Sequence, residues 1–477
     1  MTKTQDKNRS GFLDRTITTI QRRTVVNVLR AWEEITGTAR AITGSINPEL
    51  PKQDSERLLK QMSECLDHKG GELSARRRTI ELGHTYLSLT DKGKERFMRI
   101  LSEQFDIDKT RLAEKISHYL RLTNPAEQLK QESDLRDILE PGRLKILRQF
   151  NGLPEGIKFL VDMRADLLRL KKHDAALQVL EGDLHKLLGN WFDIGLLDMQ
   201  EITWNSPASL LEKLIAYEAV HAISSWNDLK NRLDSDRRCF AFFHHKMPGE
   251  PLIFVEVALV SGIASNIQIL LDEHAPQVDA RKADTAIFYS ISNAQNGLAG
   301  ISFGNFLIKR VVEHLSQELP NLKHFVTLSP IPGFVGWLEK QIKHSAPDTI
   351  VAAELSAITS LTGKPFAEIL EQNWLEDEQK AEILKRPLMR LCAYYLLEQK
   401  RGDKALDPVA NFHLSNGSVM ERLNWLADNS RKGIKQSAGM MVNYYYHLSK
   451  IEENHENYSS GKQIPASSAV RGLLKKI

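Results

Sequence analysis

Two polar side chains stand in settings that could make them reactive. Ser329 opens the run Ser329-Pro330-Ile331-Pro332-Gly333, directly after a β-prone stretch at 324–328. A hydroxyl at the carboxyl end of a strand lies where ligands gather in open α/β sheets. The two prolines and the glycine stiffen the turn that holds it. A serine that merely starts a turn through its own hydrogen bonds is the commoner case. His413 lies between Phe412 and Leu414 in the turn-rich segment 407–417. An imidazole half buried by such neighbours has a pKa open to tuning. With 15 histidines in the chain, a packing histidine is the ordinary alternative. The third feature is the loop 295–305, with Gly297, Gly300 and Gly304 between a strand pattern and a helix pattern. Backbone N–H groups in such a loop approach a ligand closely, and the helix N-terminus adds partial positive charge. Together they suit a pyrophosphate, with Lys309 and Arg310 close behind. An ordinary tight turn accounts for the pattern slightly better, because short glycine motifs are common.

Other patterns carry less. Gly300-Ile301-Ser302-Phe303-Gly304 matches the G-x-S-x-G of hydrolases. A nucleophile elbow needs its serine directly between strand and helix, and here a long loop intervenes, so a serine hydrolase is a poor reading. His244-His245 has no third ligand at metal spacing, and Tyr444-Tyr445-Tyr446 fits a core helix or strand. Zincin, Walker and dinucleotide fingerprints are missing. Cys65, Cys239 and Cys392 are far apart and odd in number, which argues against a disulfide framework or a structural zinc and for a reducing compartment. The 64 Lys+Arg against 61 Asp+Glu leave a net charge of +3 over 477 residues, no footprint for nucleic acid. No apolar run reaches the roughly 18 residues of a membrane span, and the N-terminus has no secretory core. The expected setting is cytoplasmic.

The elements that must hold these residues can be read from periodicity. Residues 1–190 read as helical. Leu112, Ile116 and Leu120 recur at i, i+4, i+8, and Leu160, Met163, Leu167 and Leu170 at i, i+3, i+7, i+10. Such a region is expected to be an all-helical domain for packing or oligomerisation. After residue 190 the texture changes. Strands are expected at 238–244, 252–260, 286–291 and 324–328, with a hairpin turn at 247–250 and a helix at 305–319 whose apolar face is Leu307, Val311 and Leu315. From 365 onward the chain reads as helical again, with loops at 401–418. A strand–loop–helix–strand unit over a mixed sheet gives an α/β or α+β layout, and with the helical part in front the chain as a whole is expected to be α+β.

Several segments, in this order, resemble malonyl-CoA decarboxylases: Arg237-Arg238-Cys239-Phe240, Pro248-Gly249-Glu250-Pro251-Leu252, Ala264-Ser265-Asn266-Ile267-Gln268, Ala286-Ile287-Phe288-Tyr289-Ser290-Ile291-Ser292, Phe306-Leu307-Ile308-Lys309-Arg310, Leu328-Ser329-Pro330-Ile331-Pro332-Gly333-Phe334, and Pro408-Val409-Ala410-Asn411-Phe412-His413-Leu414. Residues 439–446 fit as well. The resemblance covers the chain after about residue 190 well and the helical part more loosely. It implies an acyl-CoA N-acyltransferase (GNAT)-like catalytic domain over 191–477, behind the helical domain 1–190. It implies a reaction from malonyl-CoA to acetyl-CoA and carbon dioxide, with no metal or organic cofactor, in a homo-oligomer (dimer or tetramer). By the same resemblance Ser329 and His413 are catalytic. Ser329 positions the malonyl carboxylate and His413 protonates the enolate. Ala299, Gly300, Ile301, Ser302, Phe303, Gly304 and Asn305 hold the CoA pyrophosphate, and Ser290 and Tyr446 line the acyl end. Animal members carry an acidic residue where this chain has Ser302. The C-terminus, Leu-Leu-Lys-Lys-Ile, matches no peroxisomal signal, which fits a bacterial-type cytoplasmic form. The rival readings are a CoA-dependent N-acyltransferase and a non-catalytic acyl-CoA sensor.

Overall fold

A computed structural model describes residues 20, 23–30, 32, 46–66, 71–171, 174–192, 194–301, 307–343, 347–370, 374–461 and 463–475. The chain falls into two compact units. The first holds residues 1–198 together with 242–252 and 293–302, and the second holds the remainder.

The first unit is built on helices. Gly156–Leu170 and Ala175–Trp191 carry its core, with Leu160, Val161, Met163, Leu167, Leu180, Leu184 and Leu188 all buried. The run Leu160, Met163, Leu167 thus packs as its spacing predicts. An aromatic group completes the core: Phe150 stacks on Phe159 at 4.6 Å, and Tyr86 meets Phe97 edge-on at 5.0 Å. Buried cations here are paired. Arg143 donates to Asp183 and Asp106 at 2.6 and 2.7 Å, and Arg164 to Glu181 and the Gly297 carbonyl at 2.7 and 2.6 Å. The run at 112–120 behaves differently. Helix Lys109–Tyr119 has no buried residue, and Pro125–Ile138 buries only Gln131. Ile116, Leu120, Leu129 and Leu139 are exposed in this helical hairpin.

The second unit is organised by an eight-stranded mixed sheet. Its strands are β1 (Leu197–Ile202), β2 (Arg237–His244), β3 (Pro251–Val260), β4 (Thr285–Asn293), β5 (His324–Thr327), β6 (Ser329–Pro330), β9 (Val419–Asn424) and β10 (Met441–Tyr445). Between β6 and β9, β7 (Lys400–Arg401) and β8 (Lys404–Ala405) form a separate two-stranded ribbon. The order is β1-β2-β3-β4-β5-β10-β6, with β9 on the other edge of β10. All but the last residue of β3 are buried, so it is covered on both faces and not alternating. β4 and β5 are parallel, from Thr285↔His324 to Phe288↔Thr327, and helix Leu307–Glu318 makes the crossover between them. Its predicted face, Leu307, Val311 and Leu315, is buried.

Two expectations need correction. The stretch after 365 is not helical throughout: 419–424 and 441–445 are strands. Runs of six and five residues show no clear period of their own, and only pairing reveals them, 441–445 with the distant β5 and β6 and 419–424 with 441–445. His413 does not sit in a loop. It lies in helix Pro408–Ser415, started by Asp407, whose carboxylate accepts the Val409 and Ala410 N–H groups at 3.0 Å. Asp at the N-cap followed by Pro in the first turn is a helix start signal. Gly417 ends this helix in the left-handed region at φ +80°, where a Cβ would lie 2.2 Å from the Ile451 carbonyl oxygen.

Candidate active site

Three segments of the second unit converge on one buried polar chain. β5 ends at Thr327, and the Leu328 N–H still reaches the Phe288 carbonyl at 2.9 Å. Side chains alternate along an extended segment, so Thr327 and Ser329 share a face. Ser329 Oγ donates to Thr327 Oγ1 at 2.8 Å and lies 2.9 Å from His413 Nε2. His413 Nδ1 lies 2.8 Å from the Tyr446 hydroxyl. All four residues are buried.

The strand β10 is what aims the tyrosines. It pairs antiparallel with β6 at Val442↔Ser329 and with β5 at Tyr445↔Val326. Its register against β9 shifts between Asn443 and Tyr444, a bulge. Bulges re-aim side chains, and here Tyr444 and Tyr446 both reach His413. The Tyr444 ring stacks on the imidazole at 4.6 Å and 23°. Asn443 pins the bulge by donating to the Thr327 carbonyl at 2.8 Å and the Ala264 carbonyl at 3.0 Å. The Tyr444 N–H donates to Thr327 Oγ1 at 3.1 Å.

This geometry fixes the protons. Ser329 spends its proton on Thr327 and so accepts at His413 Nε2–H. The imidazole then accepts the Tyr446 proton at Nδ1. Burial pushes the His413 pKa down to about 3, so the ring is neutral near pH 7. Burial pushes the Tyr446 and Tyr444 hydroxyls well up. Below the pair, Asp407 joins both segments. Besides capping the His413 helix, its carboxylate accepts the Gly333 N–H and the Tyr395 hydroxyl, each at 3.3 Å. Burial raises the Asp407 pKa, and the Ala410, Gly333 and Val409 N–H groups oppose the rise. A Cβ on Gly333 would lie 2.2 Å from the Tyr395 oxygen, so a larger residue in the turn after Ser329 must displace the Tyr395 hydroxyl that Asp407 holds.

The remaining sequence candidates fall elsewhere. Ser290, on β4, does not touch Ser329 or His413. Its Oγ donates to both carboxylate oxygens of Glu218 at 2.8 Å. In the glycine loop Gly300 adopts φ +78°, and its carbonyl lies 3.2 Å from His185 Nε2. Ala299 and Ile301 flank it in the first unit. Ser302, Phe303, Gly304 and Asn305 lie outside the described residues. His244 Nε2 meets the Trp191 carbonyl at 3.1 Å and its ring stacks on His245, a packing role. Thr327, Asp407 and Glu218 escaped sequence reading. Only Asp407 left a signal there, the Asp-Pro pair.

A mixed-sheet unit that buries a serine, a histidine and a tyrosine in one hydrogen-bonded chain has the chemistry of an enzyme that moves a proton in a water-poor site. Comparison with known proteins makes this specific. Residues 195–477 match the family model "Malonyl-CoA decarboxylase C-terminal domain", and 105–192 match "Malonyl-CoA decarboxylase N-terminal domain". The chain is 39% identical over 398 residues to a mitochondrial malonyl-CoA decarboxylase of Mus musculus, covering 78% of this chain and 80% of that protein. It is 39% identical over 424 residues to one of Anser anser anser, covering 84% of each. Among solved structures it is similar to malonyl-CoA decarboxylase from Rhodopseudomonas palustris, at 40% identity and TM-score 0.82, covering 88% of this chain and 99% of that one. The Agrobacterium vitis structure gives 40% and 0.78, covering 88% and 100%. The chain belongs to the malonyl-CoA decarboxylase family.

Proposed function

We propose that the chain converts malonyl-CoA to acetyl-CoA and carbon dioxide, with Ser329 and His413 as its reacting groups. The observation that carries this is the 2.9 Å contact of Ser329 Oγ with His413 Nε2 across 84 residues of sequence, in a buried site. The bond between the α-carbon and the carboxylate carbon breaks, and its electron pair becomes the thioester enolate. Carbon dioxide leaves, and a proton adds to the α-carbon. The thioester is its own electron sink, so the step needs no cofactor. Ser329 turns its hydroxyl from Thr327 to the malonyl carboxylate and holds it. His413 Nε2 supplies the proton, and solvent replaces it once per turnover.

The imidazole can serve as an acid because the substrate changes it. A bound carboxylate beside the ring favours the charged form. When that carboxylate departs as carbon dioxide, its stabilising charge departs too. The imidazolium is then left in a site where its pKa is about 3, a strong acid facing an enolate. In the neutral ring Tyr446 donates to Nδ1 and keeps the proton on Nε2. In the imidazolium Nδ1 carries a proton and the Tyr446 hydroxyl, 2.8 Å away, turns to accept it.

We read the second unit as GNAT-like. In support, the β4–β5 ladder stops at Phe288↔Thr327 while β4 runs on to Asn293. That frees backbone groups of β4 for an extended thiol arm. Residues 299–305 would take the CoA pyrophosphate, and the left-handed Gly300 suits a close backbone approach. The helical domain 1–190 would self-associate through the exposed apolar hairpin 109–138, covered by a second copy. Three separate, buried free thiols support a reducing, cytoplasmic setting. No described helix is long and apolar enough to cross a membrane.

The test is to incubate the protein with malonyl-CoA and no amine, and to follow acetyl-CoA by chromatography. Catalytic accumulation, lost in Ser329→Ala and His413→Ala, is expected. Malonyl-CoA that binds and survives would refute the reaction and leave acyl transfer or ligand sensing.

A further inference from the structure

Glu218 closes helix Ala208–Tyr217 and is buried. Every polar contact its carboxylate makes is with a donor. Oε1 accepts the Val220 and His221 N–H groups at 2.8 Å each. Ser290 Oγ donates to both oxygens at 2.8 Å, and Ser292 Oγ donates to Oε2 at 3.0 Å. Ser292 Oγ is itself held by the Ala219 N–H at 3.2 Å. A hydroxyl has one proton. Ser290 Oγ and Ser292 Oγ also lie 3.2 Å apart, where either hydroxyl has the geometry to donate, but the shorter contacts to the Glu218 carboxylate, the stronger acceptor, take both protons. Toward anything else Ser290 offers lone pairs only.

Ser290 lies on β4 two residues past Phe288, the last residue paired with β5. Paired residues of parallel strands share a face, and alternate residues keep it. Phe288 pairs with Thr327, so Ser290 projects from the same face as Thr327 and Ser329, on the strand that continues where β5 stops. Both serines therefore stand at the mouth of the same strand opening with opposite hydrogen-bonding character. Ser329 donates to a neutral hydroxyl, from which a ligand carboxylate can draw its proton, whereas Ser290 donates to a carboxylate, which competes with the ligand on equal terms.

We propose that Glu218 is a specificity-determining positioning residue: by holding Ser290 as a pure acceptor it excludes the substrate carboxylate from the Ser290 side and leaves the Ser329–His413 side as its only seat. This rests on the decarboxylase reading above. A carboxylate at Ser290 would face lone pairs, with the Glu218 charge about 5 Å away, a penalty on the order of 10²-fold in binding at an effective dielectric of about 20. The Lys432 ammonium, which donates to the Ala219 and Val220 carbonyls at 2.5 and 2.9 Å, offsets part of that charge from the far side of the loop. The direction of the Ser290 proton is not offset.

Glu218→Gln tests this with little change of shape. The Val220 and His221 N–H groups hold the amide oxygen at the Oε1 position, so the NH2 points at the serines and donates to them. Ser290 then keeps only the neutral amide oxygen as an acceptor, at the Oε1 position, and can turn its proton from that oxygen to a ligand carboxylate, the stronger acceptor. In a His413→Ala background, where malonyl-CoA survives, adding Glu218→Gln is expected to tighten malonyl-CoA about tenfold by calorimetry. Acetyl-CoA, which has no carboxylate, should change less than twofold, and adding Ser290→Ala should erase the gain. General damage to the fold weakens both ligands and cannot give this sign. Malonyl-CoA binding that weakens or stays unchanged, or an equal shift for acetyl-CoA, overturns the proposal. A ligand-side measurement leaves Glu218 intact in case that variant does not fold. Malonamoyl-CoA, with an NH2 donor in place of the carboxylate, should lose about tenfold in Ser290→Ala while malonyl-CoA does not, and equal losses overturn the proposal. Failure of the decarboxylase reading is seen separately, as the absence of acetyl-CoA from the unmodified protein.

Discussion

The free imidazole of His413 titrates at about 3 because burial penalises its charged form. At pH 7 only about one molecule in 10⁴ carries the acid by itself, since each pKa unit is a factor of ten. A carboxylate about 4 Å from the ring contributes roughly 4 kcal/mol at an effective dielectric of about 20. At about 1.4 kcal/mol per unit that is about three units, raising the pKa to roughly 6 in the complex. The sign is fixed: the anion stabilises the cation, so binding takes up a proton and kcat falls as pH rises through about 6. Sulfoacetyl-CoA carries a sulfonate where malonyl-CoA has its carboxylate and cannot lose carbon dioxide. Its binding heat, measured in two buffers of different ionisation enthalpy, gives the protons taken up. About half a proton per site is expected at pH 6, falling to under about 0.1 at pH 7.5, and none in His413→Gln. Zero uptake at pH 6, or the same uptake in His413→Gln, would refute the coupling between carboxylate and imidazole.

Tyr446→Phe removes the donor to His413 Nδ1 and leaves that nitrogen buried without a partner, at a cost of about 1–3 kcal/mol. A lower melting temperature and a kcat down at least about tenfold are expected, and an unchanged kcat would show that Tyr446 does not orient the ring. His413 also gives acid sensitivity. Its folded pKa is depressed below the unfolded value, so its contribution is complete above about pH 6.5 and is lost as pH falls toward 3. Between pH 7.5 and 5 the loss is about 2 kcal/mol, and urea unfolding of His413→Gln should show a stability–pH slope smaller by that amount. Leu120→Glu with Leu129→Glu places charges on the exposed helical hairpin. Light scattering should show the assembly dissociating, and a wild-type chain that is monomeric at micromolar concentration would sink that reading.

Much of the second unit was legible because its elements are long and regular. β2, β3 and β4 announce themselves as apolar runs, and helix Leu307–Glu318 by its face Leu307, Val311, Leu315. What escaped was short or non-local. β9 and β10 have six and five residues; β10 pairs with β5 and β6 from more than a hundred residues away, and β9 is held by β10. The helix that carries His413 was hidden because Asp407, Pro408, Asn411, Asn416 and Gly417 read as turn formers. The Asp407 cap, the proline in the first turn and the terminating Gly417 are the punctuation of a short helix. The periodic run Leu112, Ile116, Leu120 lies along helix Lys109–Tyr119 and its C-cap, but periodicity does not say what covers that face.

The site itself was legible as candidates and not as chemistry. Ser329 and His413 could be singled out by type and setting, yet sequence gives neither the bulge at Asn443/Tyr444 nor the burial that makes the ring neutral. Those two facts change the mechanism. A half-buried histidine near its ordinary pKa would be charged in part before substrate arrived, and would need no anion to load it. A fully buried one must be loaded by the carboxylate it helps to remove. The loss of carbon dioxide then sets the acid strength of the proton donor, so protonation of the enolate is favoured only after the bond has broken. Premature proton transfer to the carboxylate, which would make malonic thioester acid and stop the reaction, is disfavoured for the same reason. While the anion is present it holds the imidazolium pKa near 6, roughly two units or more above that of a carboxylic acid.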